Sequence, residues 1–436
     1  MKNSYINKRT TISIILATVC IFLAVLSSAQ NPEWKTFDPS NSGLPSPYLE
    51  NIAIDTNNVK WIGTLNDGLI KFDGFNWTTY SGSNSPINNA ILSIGVDNKN
   101  NKWFGLGGGG LAKYDDVNWT IYDTTNNKIL YNEISCIAFE SSGIVWLGLY
   151  DSGMVKFDGI KWTVFNTQNS GIPANEITSI AIDNQNVKWI GTNQNGLIKF
   201  DDTNWTNYTP SNSGYPQSYV NNVCVDNHGN KFISTGGNQF GLIKFDGVNW
   251  TTYTGGYMSS VTGLKPFNPY KSTMDVNGVL WIITNGEGLI KYDGNTWTQF
   301  RSSNSGLPTD GLLMDIAIDK LGNKWIPISA TGLVAYRQGG VILSTNEIKS
   351  EELSIAFYPN PANEQVYFEL NHFSSAGTPI SIEIRDLLGN LILTKENAFS
   401  VNAQYAFDVS NLAEGFYTIA LRSADLTKVV KLVVKH

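Results

Sequence analysis

Two near-copies of one segment, "KWIGTLNDGLIKFDGFNWTTY" at 60–80 and "KWIGTNQNGLIKFDDTNWTNY" at 188–208, constrain this chain more than any other feature. Each copy carries two Trp residues. The first recurs as Trp61, Trp103, Trp146, Trp189, Trp281 and Trp325, with Phe232 in its place in the fifth copy. The second recurs as Trp34, Trp77, Trp119, Trp162, Trp205, Trp250 and Trp297, so all 13 Trp belong to the repeat. Successive second Trp are 43, 42, 43, 43, 45 and 47 residues apart, the length of a four-stranded propeller blade.

Within one unit, "ITSIAID" (177–183) alternates as an inner strand should, and "VKWIGT" follows a polar turn. "GLIKF" reads as a third strand and "NWTNY" as a fourth, joined by Asp-Asp or Asp-Gly, a tight-hairpin signal. No useful stretch of helical periodicity intervenes. The units fall at about 50–80, 91–122, 133–165, 176–208, 219–253, 270–300 and 313–344, predicting an all-β, seven-bladed propeller. The seventh unit lacks the Asp-Gly turn and the second Trp, while "EWKTF" (33–37) stands unmatched. This N-terminal segment is therefore predicted to supply or reinforce the outer strand of blade seven and cover an edge that would otherwise pair with other chains. Each Trp buries about 150–250 Å2, roughly 4–6 kcal/mol gross at about 25 cal/mol per Å2. Packing between blades explains the recurring indoles better than a row of sugar-stacking rings.

Residues 1–29 read as an export signal: Lys8 and Arg9, an apolar run from Ile12 to Leu26, then small Ser27 and Ala29 before Gln30. An uncleaved anchor is the alternative, but the run is short for a bilayer span. Losing Lys2, Lys8 and Arg9 leaves 27 basic against 37 acidic side chains, a net charge near −10, which disfavours nucleic-acid partners. Cys20 leaves with the signal, and the two remaining thiols, Cys136 and Cys224, read as isolated apolar side chains.

The Asp and Asn of "DTNN", "DNKNN", "DNQN", "DNHGN", "DVNG" and "DKLGN" join the first two strands and cap turns through their own backbone, with calcium binding as the sharper alternative. "NWT" at 76, 118, 204 and 249 matches a glycosylation sequon, although a hairpin repeat accounts for it.

The pattern "D..N.KWIGT..GLIKFDG..W" resembles the two-component-regulator propeller repeat over roughly residues 31–340. The resemblance implies a glycan-sensing periplasmic ring. No kinase segment or transmembrane helix follows it in this sequence, so a signalling role is not carried over. Residues 353–436, with "FYPNPANEQVYFEL", "ISIEIRDLLGNLIL", "FDVSNLAEGFYTIAL" and "KVVKLVVKH", resemble the C-terminal sorting domain of the type IX (Por) secretion system. The residues carrying that resemblance are Tyr358, Pro359, Asn360, Pro361, Gly389, Gly415, Tyr417, Lys431, Val433 and Lys435. It implies translocation by the type IX machinery, then removal of the domain and release or attachment to surface lipopolysaccharide. By its own alternation the region reads as a small Ig-like β-sandwich, with a plain adhesion module as the alternative. The expected organisation is a signal at 1–29, propeller at 30–343, linker at 344–354 and sorting domain at 355–436.

Catalysis is hard to assemble on this propeller. His228 is its single His and lies in a turn, and Arg301 and Arg337 are its only Arg, too few for a sialidase-type cluster. Asp67, Asp151 and Glu287, in loops between second and third strands, are the carboxylates a glycosidase would draw on. "GLGGGGLAKY" (105–114) lacks the Lys-Ser/Thr pair of a phosphate loop.

Binding is the better class, because these loops vary while the Asp turns stay nearly constant, and variation on a rigid scaffold is where recognition resides. The candidate ligand contacts are Asn66, Asp67, Tyr150, Asp151, Asn193, Gln194, Asn238, Phe240, Tyr257 and Glu287. The sequence thus predicts a monomeric, exported, non-catalytic propeller without cofactor or metal. It would bind an extracellular glycan, or alternatively a surface protein, and would keep no integral membrane segment after signal cleavage.

Overall fold

The computed structural model describes residues 32–123, 133–235, 241–254, 264, 267–343, 356–369, 380–386, 390–397, 404–422 and 427–436. The signal region, the linker at 344–354, Asn238, Phe240, Tyr257 and Gly389 lie outside them. The chain divides into two compact units, Met1–Val341 and Ile342–His436.

Seven four-stranded antiparallel sheets make up the first unit among the described residues. In blade one the strands Leu49–Ile54, Lys60–Thr64, Leu69–Phe72 and Trp77–Tyr80 pair in chain order, and the next five blades repeat that order. Blade seven departs from it. Its first three strands are Ala317–Ile318, Lys324–Ile328 and Gly332–Tyr336, and its fourth is Trp34–Phe37 from the N-terminus. The register Trp34↔Tyr336 to Phe37↔Leu333 closes the ring as the unmatched N-terminal segment predicted.

The repeated aromatics have two places. Each second Trp stacks on the third-strand aromatic opposite it, as in Phe72–Trp77 (4.0 Å, 12°) and Phe200–Trp205 (3.8 Å, 11°). The last aromatic of the preceding blade meets it edge-on or tilted, as in Tyr80–Trp119 and Tyr208–Trp250, and Phe300–Trp34 does the same at blade seven. Each first Trp is buried and abuts the third-strand aromatic of the next blade, as in Trp146–Phe200 (6.0 Å, 82°) and Trp325–Phe72 (5.9 Å, 68°). The last of these pairs joins blade seven to blade one. Offset and edge-to-face contacts add to area burial in such pairs.

The constant Asp turns serve the same seams. Asp55 accepts the backbone N–H of Asn57 and Val59 through Oδ1 and the Trp61 indole N–H through Oδ2 at 3.0 Å. Asp97, Glu140, Asp183, Asp275 and Asp319 hold the indoles of Trp103, Trp146, Trp189, Trp281 and Trp325 likewise. A Lys from the following blade then reaches back. Lys102 Nζ lies 3.7 Å from Asp55, Lys188 2.9 Å from Glu140 and Lys324 3.9 Å from Asp275, and Lys60 closes the circle 3.5 Å from Asp319. Each ammonium also sits over the preceding blade's indole, as Lys188 over Trp146 at 4.9 Å.

Two seams lack the Lys, because Val145 and Leu280 occupy its place. There the acceptor's own turn supplies the donor: Asn101 Nδ2 bonds Asp97 at 2.8 Å and Asn230 Nδ2 bonds Asp226 at 2.7 Å. These carboxylates are thus met by a Lys, by an Asn of their own turn or, at Asp319, by both.

The second unit holds two antiparallel sheets, one of three strands and one of four. They share a core that includes Val366, Phe407, Ile382, Ile384, Ile419 and Leu432. Tyr417 is buried and its hydroxyl donates to the Ala413 carbonyl at 2.8 Å. Asn360 clamps the last strand, its Nδ2 donating to Lys431 O at 2.9 Å and its Oδ1 accepting Val433 N–H at 2.8 Å. Lys435 N–H and Ala362 O extend that contact. Pro359, Pro361, Lys431 and Lys435 are exposed, Tyr358 ends the strand Ala356–Tyr358, and Gly415 opens the strand Gly415–Arg422.

Candidate functional site

A cavity of about 610 Å3 lies where the inner strands of all seven blades converge. Its shape follows from one irregularity repeated around the ring. In five blades the register between first and second strands slips by one residue, between Leu49 and Asn51, Ile91 and Ser93, Ile134 and Cys136, Ile177 and Ser179, and Pro269 and Lys271. A bulge leaves one residue unpaired and re-aims its side chain. Here the extra residues are Glu50, Leu92, Ser135, Thr178 and Tyr270, and Asn221 and Met314 hold the matching place in blades five and seven. All seven line the cavity, and no two are of the same type.

The next residue inward forms a second circle that fastens the blades. Asn51 Nδ2 donates to Ile91 O at 2.8 Å and Ser93 Oγ to Ile134 O at 2.9 Å. Ser179 Oγ accepts Val223 N–H, Asn222 Oδ1 accepts Ser272 N–H, and Asp315 Oδ2 accepts Ile52 N–H across the closing seam. Lys271 Nζ lies 2.6 Å from Asp315 Oδ1. At the bulge level Ser135 and Thr178 hydroxyls donate to Ile177 O and Val220 O, both at 2.6 Å.

What remains at the mouth is a small set of unengaged groups. Among the described residues, no hydrogen bond or ion pair holds the side chains of Glu50, Tyr150 or Tyr270. Tyr150 and Tyr270 are 51% and 43% exposed, although most tyrosines of the ring are packed. Burial raises the Tyr150 phenol above its ordinary pKa, helped by the negative fields of Tyr270, Cys136, Glu133 and Glu50. Burial raises Tyr270 too, with Lys271 pulling down and Asp315 and Glu50 pushing up. Glu50 is raised by burial alone, with no cation to hold its charge. Glu176 accepts the Asn193 amide at 2.8 Å. Cys136 also lines the cavity, and burial pushes its thiol up to about 11.

Of the described residues expected to contact ligand, Tyr150 and Asn193 line this cavity, whereas Asn66, Asp67, Asp151, Gln194 and Glu287 do not. Asp67 accepts the Ser46 hydroxyl, Glu287 accepts Asn268 N–H at 3.2 Å, and Asp151 accepts the Ser152 hydroxyl. Glu50, Glu176, Asn221, Asn222, Tyr270, Lys271 and Asp315 escaped the sequence reading. For all but Glu176, which precedes its strand, the signal was present as the non-repeating dipeptide at each inner strand: "EN", "LS", "SC", "TS", "NN", "YK" and "MD".

Comparison with known proteins bears on both units. Residues 356–435 match the family model described as a secretion system C-terminal sorting domain. The C-terminal unit belongs to that sorting-domain family. The protein is therefore a type IX secretion substrate, delivered to the cell surface or released beyond it, and its sorting domain engages the type IX machinery. A search of curated proteins returns no match. Among solved structures, the extracellular domain of the B. thetaiotaomicron protein BT3049, described as a hybrid two component system, is 18% identical at a TM-score of 0.60. The alignment covers 92% of this chain and 57% of that one, so this chain spans little more than half its length. YCF48 bound to D1 peptide is 12% identical at a TM-score of 0.52, over 71% of this chain and 98% of that one. PorZ, a surface component of the type-IX secretion system of Porphyromonas gingivalis, is 19% identical over 89% of this chain and 51% of that one. Its TM-score is 0.36, and a likeness at that level carries no inference. At these identities the likenesses show the fold alone, a β-propeller.

Proposed function

We propose that this exported propeller, freed of its signal at 1–29, is a non-catalytic receptor for an extracellular glycan, which it binds at the mouth of the central cavity. One observation carries the reading. Seven different side chains occupy one matching place around the ring, bulged in five of the blades, and two of the aromatic groups at the mouth are left uncovered. The indoles and acidic turns of this repeat recur almost unchanged, so variety at a level that faces the cavity of a rigid scaffold is the mark of recognition. Tyr150 and Tyr270 offer ring faces, and Asn193 and Asn221 offer amides, the groups that suit sugar rings and hydroxyls. Asp67 and Glu287, which a glycosidase reading would draw on, each accept a hydrogen bond from the link that leads into their own blade, Asp67 from the Ser46 hydroxyl and Glu287 from Asn268 N–H.

A glycan array with the mature protein tests this. Binding to a defined polysaccharide that is lost in Tyr150→Ala and Tyr270→Ala is expected. Silence across plant, host and microbial polysaccharides would remove the reading.

A further inference from the structure

The charge around the mouth says more about the ligand than its shape does. The carboxylates lining the cavity are Glu50, Glu176 and Asp315, and Glu133 lies beside Tyr150, where its charge helps raise that phenol. Lys271 is the only basic residue among those lining it. Its ammonium is committed to Asp315 at 2.6 Å, and Asp315 is satisfied further by Ile52 and Ile316 N–H. That leaves Glu50, half-buried at the bulge position of blade one, as a carboxylate facing the cavity with no partner among the described residues. Its field reaches both uncovered tyrosines.

A half-buried carboxylate is costly to leave unpaired, and this protein pairs the buried Asp and Glu of its blade seams. An aromatic face next to a carboxylate is also a good seat for an ammonium, which gains from the ring quadrupole and the ion pair together. Among the described lining residues an anionic sugar would meet the opposite, three carboxylates and no uncommitted cation.

Resting on the glycan reading above, we infer that the ligand is an amine-bearing sugar polymer, a partly or fully deacetylated aminoglycan. Glu50 takes its ammonium, and Tyr150 and Tyr270 supply the ring faces. Glu176 and Asn193 extend the polar wall on the blade-four side. The bulge position is the specificity-determining register, and Glu50 sets the charge preference.

Calorimetry of the mature protein with three hexamers tests this: chitosan hexamer at mildly acidic pH where its amines are charged, the fully N-acetylated hexamer, and oligogalacturonate. Chitosan hexamer should bind at least about tenfold tighter than the acetylated one, a difference of about 1.4 kcal/mol, and oligogalacturonate weakest of the three. Glu50→Gln should erase most of that preference, while Tyr150→Ala weakens both hexamers and leaves the preference in place. If the acetylated hexamer binds as tightly as the amine form, or oligogalacturonate binds tighter, the amine inference falls while glycan recognition stands. If none of the three binds and a lysine-rich peptide does, the occupant is protein and both readings fall.

Discussion

The alternation between Lys and Asn at the blade seams can be transplanted. At the seam between blades one and two, Lys102 is fully buried, lies 3.7 Å from Asp55, donates to Asn100 O at 2.9 Å and pairs with Asp116. Lys102→Val removes the cation that faces Asp55, a carboxylate only 2% exposed in its side chain. Breaking a buried pair from one side costs about 3–5 kcal/mol. The protein already tolerates Val at this position in blade three, where Asn101 donates to Asp97. Val59 occupies the place of Asn101 on the Asp55 turn and is half-buried as Asn101 is. Val59→Asn added to Lys102→Val should therefore restore about 1.5–3 kcal/mol, the worth of a hydrogen bond to a charged acceptor. Denaturant titration followed by tryptophan emission reads both variants, because Trp61 donates to Asp55 and lies against the seam. The reasoning is refuted if Lys102→Val costs under about 1 kcal/mol, or if the second substitution adds to the loss.

Lys60 should behave in the opposite way. Its ammonium has no hydrogen-bond partner among the described residues, and Asp319 already receives Trp325 and Asn323 at 2.8 Å each. Lys60→Met is expected to be neutral or stabilising by denaturant titration. Burial lowers the Lys60 pKa, so the folded state sheds its proton before the unfolded one as pH rises toward 10.5. Any stability advantage of Lys60→Met should therefore shrink across that alkaline window, and an advantage that grows there would contradict this. Trp146→Ala, at a fully buried indole, should cost about 3–5 kcal/mol; a loss under about 1 kcal/mol would show that the indole does not seal its seam. Deleting the last strand, Thr427–Val434, removes the partner of Gly415–Arg422 and of Asn360. The truncated protein should be retained in the periplasm by cell fractionation, and its normal appearance outside the cell would refute the sorting role.

The ring was legible because its constraints are periodic. Thirteen indoles at blade spacing and an orphan "EWKTF" lead to the sheets and to the closing strand. The Asp turns were legible only by half: their backbone caps follow from residue type, but the indole each carboxylate holds, and the Lys that answers from the next blade, are tertiary contacts. Lys102 and Asp55 are adjacent only because two sheets are. The cavity's lining was hidden for a different reason. Alternation with period two sends every second residue inward, and a bulge breaks that rule at Glu50, Leu92, Ser135, Thr178 and Tyr270. Variation in the loops drew attention to Asp67 and Glu287, which hydrogen-bond to the link leading into their own blade, and away from the strand openings, which vary as well.

Blade seven has a mechanical consequence. Trp34 lies opposite Tyr336, with Arg337 N–H on Glu33 O and Val341 N–H on Pro32 O, so the polypeptide enters and leaves the ring at one spot. A pull between those two ends loads the cross-strand bonds one pair at a time, like a zipper, and not all at once as sliding would. A propeller held at the cell surface by its C-terminal side would thus surrender the Trp34–Phe37 strand first under tension, with the other six blades, each built from one continuous stretch of chain, left whole.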